Sequence, residues 1–382
     1  MMGEWKEYKL GDVCSRLSSG KNIRAEFVKD SGLYPVYGGN GLRGYTDNYN
    51  FDGECGIIGR QGAYCGNVRF FKGKGYMTEH AVVVQGNKFA DTYYLSSLLS
   101  TMHLERLSGQ SAQPGLAVGT LSVQNIVLPD ISIQKKISSI LSSLDAKIEN
   151  NNKINANLEA QAQALFKSWF VDFEPFQDGE FEDSELGRIP KGWKVGTLES
   201  LCSFISRGLS PKYNNDTDQW VLGQTCVRNN IVSMNNARKH ILKSLTEKKV
   251  KQWDVLINST GIGSLGRVGI IYFNSDNVAF DSHLTVVRAE NPIYKFYIGR
   301  NLLNRQLEIE NMAVGSTGQT ELPRESVKQM RIVIPSEEVL SHFNSLIEPI
   351  GLLMYGNLDE NKSLSTLRDT LLPKLMSGEI EV

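Results

Sequence analysis

The chain has 382 residues, 41% hydrophobic and 22% charged, with a net charge of −1 and five cysteines. It is long enough for two domains with separate cores. It lacks an 18-residue apolar run, and Met1-Met2-Gly3-Glu4-Trp5 is neither a basic nor an apolar leader, so a cytosolic protein with no membrane association is expected. An odd cysteine count without a C-x-x-C pair argues against a disulfide framework and against a zinc site.

In chain order the first landmarks are Trp5, Leu10, Cys14 and Gly20. They return as Trp193, Leu198, Cys202 and Gly208, all shifted by 188. Later, Gly109-x-x-x-Gln113 returns as Gly315-x-x-x-Gln319, and Ile126-Val127-Leu128-Pro129 as Ile332-Val333-Ile334-Pro335, now shifted by 206. The growing shift puts insertions inside the second copy. Two copies of this length suit a tandem pseudo-dimer rather than a solenoid. Such a chain presents two similar surfaces to a target with two sites.

Residues 1–129 are rich in Gly, Asn, Ser and Tyr and carry short apolar runs at Cys55–Ile58 and Ala81–Val84, with a helical stretch at Tyr93–Arg106. Residues 186–335 share that character, with runs at Val255–Ile257 and Leu284–Val287 and a helical stretch at Ile298–Glu308. Each reads as an α/β (α+β) domain on a twisted sheet. Residues 130–185 and 336–382 differ. After Pro129, with Asp130 or Ser132 as cap, the positions Ile137, Leu141, Leu144, Ile148, Asn151, Asn155, Leu158, Ala162, Leu165 and Trp169 alternate four and three apart. Adding 206 gives Phe343, Ile347, Ile350, Met354, Asn357, Asn361, Leu364, Arg368, Leu371 and Leu375, so both seam asparagines fall on asparagines. Two long helices packed antiparallel with matched amide layers are predicted, in a pseudo-twofold arrangement. Pro349 is expected to kink or delay the second, and Arg368 is out of character for a seam.

Charge follows the same division. The net charge is +2 over residues 1–129 and +8 over 186–335, but −6 over 130–185 and −5 over 336–382. Basic domains suit a polyanion, and acidic helices stay away from it. A helix of some 35 residues spans about 50 Å, so two recognition modules at a fixed separation would match a bipartite target.

Sequences at the domain junctions carry a family resemblance. Ala164-Leu165-Phe166-Lys167-Ser168-Trp169-Phe170-Val171-Asp172-Phe173, and Ser184-Glu185-Leu186-Gly187-Arg188-Ile189-Pro190-Lys191-Gly192-Trp193, resemble the conserved regions of type I restriction–modification specificity subunits. So do Leu371-Leu372-Pro373-Lys374-Leu375-Met376-Ser377-Gly378-Glu379-Ile380 and Tyr34-Pro35-Val36-Tyr37-Gly38-Gly39-Asn40-Gly41. The resemblance spans the whole chain and implies recognition domain 1 (1–129), conserved helix 1 (130–185), recognition domain 2 (186–335) and conserved helix 2 (336–382). Each recognition domain would read half of a split double-stranded DNA site. The helices would set the gap and dock two modification (adenine methyltransferase) subunits, and two restriction/translocation subunits would complete the complex. The chain itself would be non-catalytic and bind no cofactor, with S-adenosylmethionine, ATP and Mg²⁺ on the partners.

Motifs that could carry chemistry read as structure. Gly39-Asn40-Gly41-Leu42-Arg43-Gly44 matches a dinucleotide fingerprint, but a turn-like stretch follows where a helix is required. Asn291-Pro292-Ile293-Tyr294 lacks the second proline of a methyltransferase motif, and Asp145 of a nuclease-like Pro129-Asp130…Asp145-Ala146-Lys147 lies in the heptad helix. His80 and His283 read as matched strand-end residues.

The DNA-contact candidates are loop residues. They are Arg60, Gln61 and Tyr64 in the loop 59–66, and Ser259, Thr260 and Arg267 in its counterpart 259–267, where small residues let backbone approach a duplex and Arg or Gln can make paired bonds to base edges. Gln110, Gln113, Thr317 and Gln319 repeat that chemistry, and Lys21, Arg43, Lys72, Lys74, Lys212, Arg228, Arg238 and Lys239 suit phosphates. Two other readings compete: an enzyme that methylates or cuts DNA alone, and a coiled-coil adaptor that binds only proteins.

Overall fold

The computed structural model describes residues 5–62, 64–108, 115–241, 248–315 and 320–382. They form two compact units, one of Met1–Asn150 with Glu360–Val382 and the other of Asn151–Asp359. Among the described residues no helix is long and apolar enough to cross a membrane.

The first unit holds β1 (Lys6–Lys9), β2 (Cys14–Ser19), β3 (Tyr34–Gly38), β4 (Gly41–Thr46), β5 (Phe51–Gly59), β6 (Val68–Met77), β7 (Ala81–Gly86), α1 (Thr92–Thr101), α2 (Val118–Ser122) and β8 (Asn125–Leu128). Its sheet runs β2-β7-β5-β6-β3-β4 and is antiparallel except at β3·β6. Alternate side chains leave a strand on opposite faces, and both faces are filled. Cys55 and Ile57 join Phe51, Phe71, Met77 and Val83 on one side. Ile58, Val82 and Val84 meet Tyr94, Leu95 and Leu99 of α1 on the other. Gly56 is required there, because a Cβ would lie 2.7 Å from Ser96 Oγ of the helix.

The chain then enters α3 (Ile131–Phe170), a single helix of 40 residues, about 60 Å long. Asp130 is its cap position, its carbonyl accepting from Ile133 and Gln134. The fully buried Gln134 bonds the carbonyls of Phe89 and Pro129 and the amide of Asp91, which fixes the start of α3 to the sheet domain.

The second unit adds β9 (Phe181–Ser184), β10 (Gly187–Pro190), β11 (Lys194–Thr197), β12 (Cys202–Arg207), β13 (Trp220–Leu222), β14 (Val227–Arg228), β15 (Ile231–Val232), β16 (Arg238–Lys239), β17 (Val255–Asn258), β18 (Val268–Ile270), β19 (Val278–Phe280) and β20 (Leu284–Ala289). After these come α4 (Lys295–Asn304), α5 (Gln306–Asn311), α6 (Arg324–Lys328), β21 (Arg331–Ile334) and α7 (Glu337–Ser377), of which residues 337–359 belong here and 360–377 to the first unit. Its main sheet, β12-β20-β17-β18-β15-β14, repeats the order of the first four strands and again has one parallel join, β15·β18, but the last hairpin is reversed, its earlier strand β14 forming the edge.

The repeat read from sequence survives in the register. Lys6 faces Leu128 as Lys194 faces Ile334, and the strands at Cys14 and Cys202 each carry a bulge after the cysteine. The insertion lies between Gly208 and Val255, where β13 and β16 build the extra three-stranded sheet β16-β13-β19.

In both units the helices pack antiparallel. In the second, Asn357 Nδ2 donates to Asn155 Oδ1 at 2.8 Å, Asn155 Nδ2 donates to the Met354 carbonyl at 3.1 Å, and Phe166 packs on Phe343. In the first, Arg368 donates to Asp145 at 2.8 Å, and Ile137 and Leu141 share a core with Leu375. The predicted seam residues, among them Leu144, Ile148, Leu158, Leu165, Trp169, Ile347, Ile350, Leu364 and Leu371, are buried or half-buried, as are Asn151 and Asn361.

Several sequence expectations need correction. α7 continues through Pro349, which faces solvent, so water can serve the Ser345 carbonyl that a proline leaves without its helical donor. Arg368 fits its seam because Asp145 meets it. The helical stretch Tyr93–Arg106 breaks at His103, whose φ is +52°, into α1 and a short turn. Ile298–Glu308 divides at Arg305. Helix 1 stops at Phe170, and the β9–β10 hairpin follows.

Candidate nucleic-acid interface

Each unit converges its glycine-rich loops at the end of its central strand, and the same backbone bonds hold them. In the first, Arg60 N donates to the His80 carbonyl, Leu116 N to the Arg60 carbonyl and Gly66 N to the Gly59 carbonyl. In the second, Ser259 N donates to His283, Leu322 N to Ser259 and Gly266 N to Asn258. His80 and His283 are thus strand-end residues whose carbonyls anchor the loops. Each ring sits near a carboxylate, Glu79 at 3.2 Å and Asp281 at 3.5 Å. Burial pushes the Asp281 carboxyl above its ordinary range, opposed by the His283 backbone bond and charge.

In the first unit, a Cβ on Gly59 would lie 2.4 Å from the Gly39 carbonyl, and one on Gly39 would lie 3.1 Å from that of Gln61. The β3–β4 turn therefore packs on the loop after β5, with the Arg43 side chain lying against Gly38 of that turn. Lys21 N donates to the Met77 carbonyl at the end of β6. Lys21, Arg43, Gln61 and Tyr64 are exposed, and Arg60 is half-buried with a 3.3 Å bond to Ser19 Oγ. Gly38–Gly41 is a hairpin turn followed by a strand, so the fingerprint-like glycines serve the turn. Lys72 and Lys74 do not join the cluster. They pair across the ladder with Glu54 and Asp52, six or more residues back along β5, roughly 20 Å away.

In the second unit Thr260 accepts two bonds from Gln224 Nε2, at 2.5 Å to its carbonyl and 2.6 Å to its hydroxyl. Arg267 folds back to donate to the Gly263 carbonyl at 2.7 Å. Ser259 is a correction: it is fully buried, its hydroxyl 2.6 Å from Thr285 Oγ1, and it packs the strand end instead of facing a ligand. Lys212, Arg238 and Lys239 gather at the extra sheet, Arg238 over the Tyr213 ring at 4.0 Å and Lys239 over Trp220 at 5.7 Å. Arg228 stands exposed on the edge strand β14. Gln110, Gln113, Thr317 and Gln319 lie outside the described residues.

Sequence reasoning missed Gln224 and Arg207. Arg207 braces the loops through the Ser282 and Leu322 carbonyls and Glu321. The 188-residue shift aligns it with Ser19, so the repeat gave no signal. Gln224 follows an apolar run and a glycine, as the β3–β4 turn follows Tyr37, and that pattern could have found it.

The other motifs are structural. Asn291 caps the turn before α4, accepting from Ile293 N at 3.0 Å. Asp145 lies inside α3, bonded by Tyr93 and Arg368. Among the described residues no group of three or more His, Cys, Asp or Glu is arranged to hold a metal ion.

Comparison with known proteins follows the same division. A family model described as the type I restriction modification DNA specificity domain matches residues 2–160 and again 190–339. The type I restriction enzyme MjaIX specificity subunit of Methanocaldococcus jannaschii is 31% identical over 299 residues, spanning 76% of this chain and 68% of that protein. The EcoprrI specificity subunit of Escherichia coli is 41% identical over 146 residues, 37% of this chain and 36% of that one. The crystal structure of a type I restriction–modification S subunit from M. genitalium shares the fold, with a TM-score of 0.63 at 17% identity, covering 98% of this chain and 96% of the other.

Proposed function

The chain belongs to the type I restriction–modification DNA specificity family, and on that premise we propose that it is the DNA sequence-specificity subunit of a type I restriction–modification complex. Each sheet domain reads one half of a bipartite duplex site. The long helices set the spacer and dock two modification subunits, and two restriction subunits complete the assembly. The chain performs no chemistry itself, and S-adenosylmethionine, ATP and Mg²⁺ act on the partners.

The observation that carries this reading is the duplicated loop cluster. One backbone scaffold is built twice and carries different side chains: Arg60, Gln61 and Tyr64 in one copy, Thr260, Gln224 and Arg267 in the other. A shared frame with divergent contacts is what reading two different half-sites requires, because phosphate contacts position a protein while base-edge contacts specify sequence. Lys21 and Arg43 in the first domain, and Lys212, Arg238 and Lys239 in the second, supply the phosphate contacts. Arg228 adds one at the sheet edge.

Co-purification with the neighbouring modification subunit, followed by mapping of methylated adenines, tests the proposal. A split motif methylated in both halves supports it. A complex that forms without methylating any site removes the recognition role and leaves a helical adaptor. Methylation by the chain alone makes it an enzyme.

A further inference from the structure

Resting on that reading, we propose that Ile262 is the apolar contact through which the second domain reads a thymine methyl group in its half-site. Ile262 is 89% exposed, more than any other large hydrophobic among the described residues. Single exposed apolar side chains are ordinary, so exposure alone decides nothing. The loop beneath it does. Ile262 stands between Gly261 (φ +101°) and Gly263 (φ +69°), both in the left-handed region that favours glycine. With no side chain on either neighbour, the isoleucine projects alone and the backbone can approach a duplex closely.

The prong is held firmly. Ser264 N and Leu265 N donate to the Gly261 carbonyl at 3.1 and 2.9 Å, and Arg267 Nη2 donates to the Gly263 carbonyl at 2.7 Å. Gln224 clamps Thr260 on the other side. Binding therefore has little left to order at this residue.

The chemistry fits one base. Thymine is the base that presents a methyl group in the major groove, beside an acceptor oxygen, and an apolar side chain discriminates it there. The first domain carries Ala63 after Gly62 where the second carries Ile262 after Gly261, so the long apolar side chain is particular to the second domain. An isoleucine can instead insert between base steps and unstack them, and the test separates the two modes.

The full-length chain with its modification partner is used to enrich duplexes from a randomised library, as wild type and as Ile262→Ala. The wild type should enrich a split motif with T·A at one position that the variant leaves degenerate, all other positions being kept. Replacing that thymine by uracil, which removes only the methyl, should weaken wild-type binding about fourfold and leave the variant unchanged. A split motif in which no uracil in either half separates wild type from variant overturns the inference. The same holds if unstacking of 2-aminopurine in the second half is lost in the variant with no uracil effect, which makes Ile262 a wedge. A wild type that enriches no split motif overturns the specificity reading as well.

Discussion

Arg60 and Arg300 show how differently one residue type can be used in this chain. Arg60 is half-buried in the loop cluster, with one bond to Ser19. Arg60→Ala should weaken specific duplex binding by about 1–3 kcal/mol and relax selectivity in the first half-site alone, read by competition binding with variants of each half. Arg300 lies on α4, 1% exposed, and donates to Glu159 of α3 at 2.7 Å; Asn230 donates to the same carboxylate at 3.1 Å. Arg300→Met would leave that half-sealed carboxylate without its cation. Removing one partner of a buried pair costs about 3–5 kcal/mol, and Glu159 at 15% exposure should fall near the low end, measured by urea unfolding. The Arg60 loop was readable in the sequence because glycines flanking a polar side chain after an apolar run mark a tight loop at a strand end. Arg300 was not, since its partner lies 141 residues away and an arginine among apolar helix residues looks like an ordinary surface charge. Ser259 failed for a related reason: at the end of an all-buried strand, spacing does not say that its hydroxyl turns inward to Thr285.

At the scale of the helices, the asparagine layer makes a clear prediction. Asn155→Leu strands the Asn357 amide in a buried seam and should cost about 1–3 kcal/mol. Replacing both by leucine should recover that loss, because an apolar layer needs no partner, while giving up the amide pairing that fixes register. Urea unfolding of the single and double variants checks the first part, and crosslinking between α3 and α7 the second. A double variant no more stable than the single would remove the amide pair as the reason. This layer was legible because heptad spacing and burial have one geometric cause: side chains three and four apart share a helix face. The two irregularities of α7 were misjudged because each depends on surroundings. Pro349 is tolerated on a wet face, and Arg368 is satisfied by Asp145, itself bonded by Tyr93 at 2.5 Å. Neither neighbour can be read from local sequence. The sheet domains were legible as short strands and turns, but the extra sheet around β13 came from an insertion that the repeat only announced.

For the whole molecule, two predictions concern the duplex. If Lys21, Arg43, Lys212, Arg228, Arg238 and Lys239 each neutralise one phosphate, the logarithm of affinity should fall with the logarithm of salt at a slope near −5, and Lys212→Ala should lower that slope by about one. Inserting four residues in α3, with a matching insertion in α7, should change the tolerated spacer and leave both half-sites unaltered; an unchanged spacer would refute the ruler role of the helices. A separate consequence follows from how the polypeptide is divided. The second unit is one continuous stretch, Asn151–Asp359, but the first needs Glu360–Val382 to complete it. Leu375 and Met376 sit in the same core as Leu10, Leu95 and Ile137. On a ribosome adding about 5–20 residues per second, the first domain waits roughly 10–50 seconds for its last core side chains, while the second already has all of its own. Birth order is therefore reversed, the earlier-made domain maturing last. A premature stop just before Glu360 would be felt at the first domain, where nascent-chain protease mapping should find the cleavage.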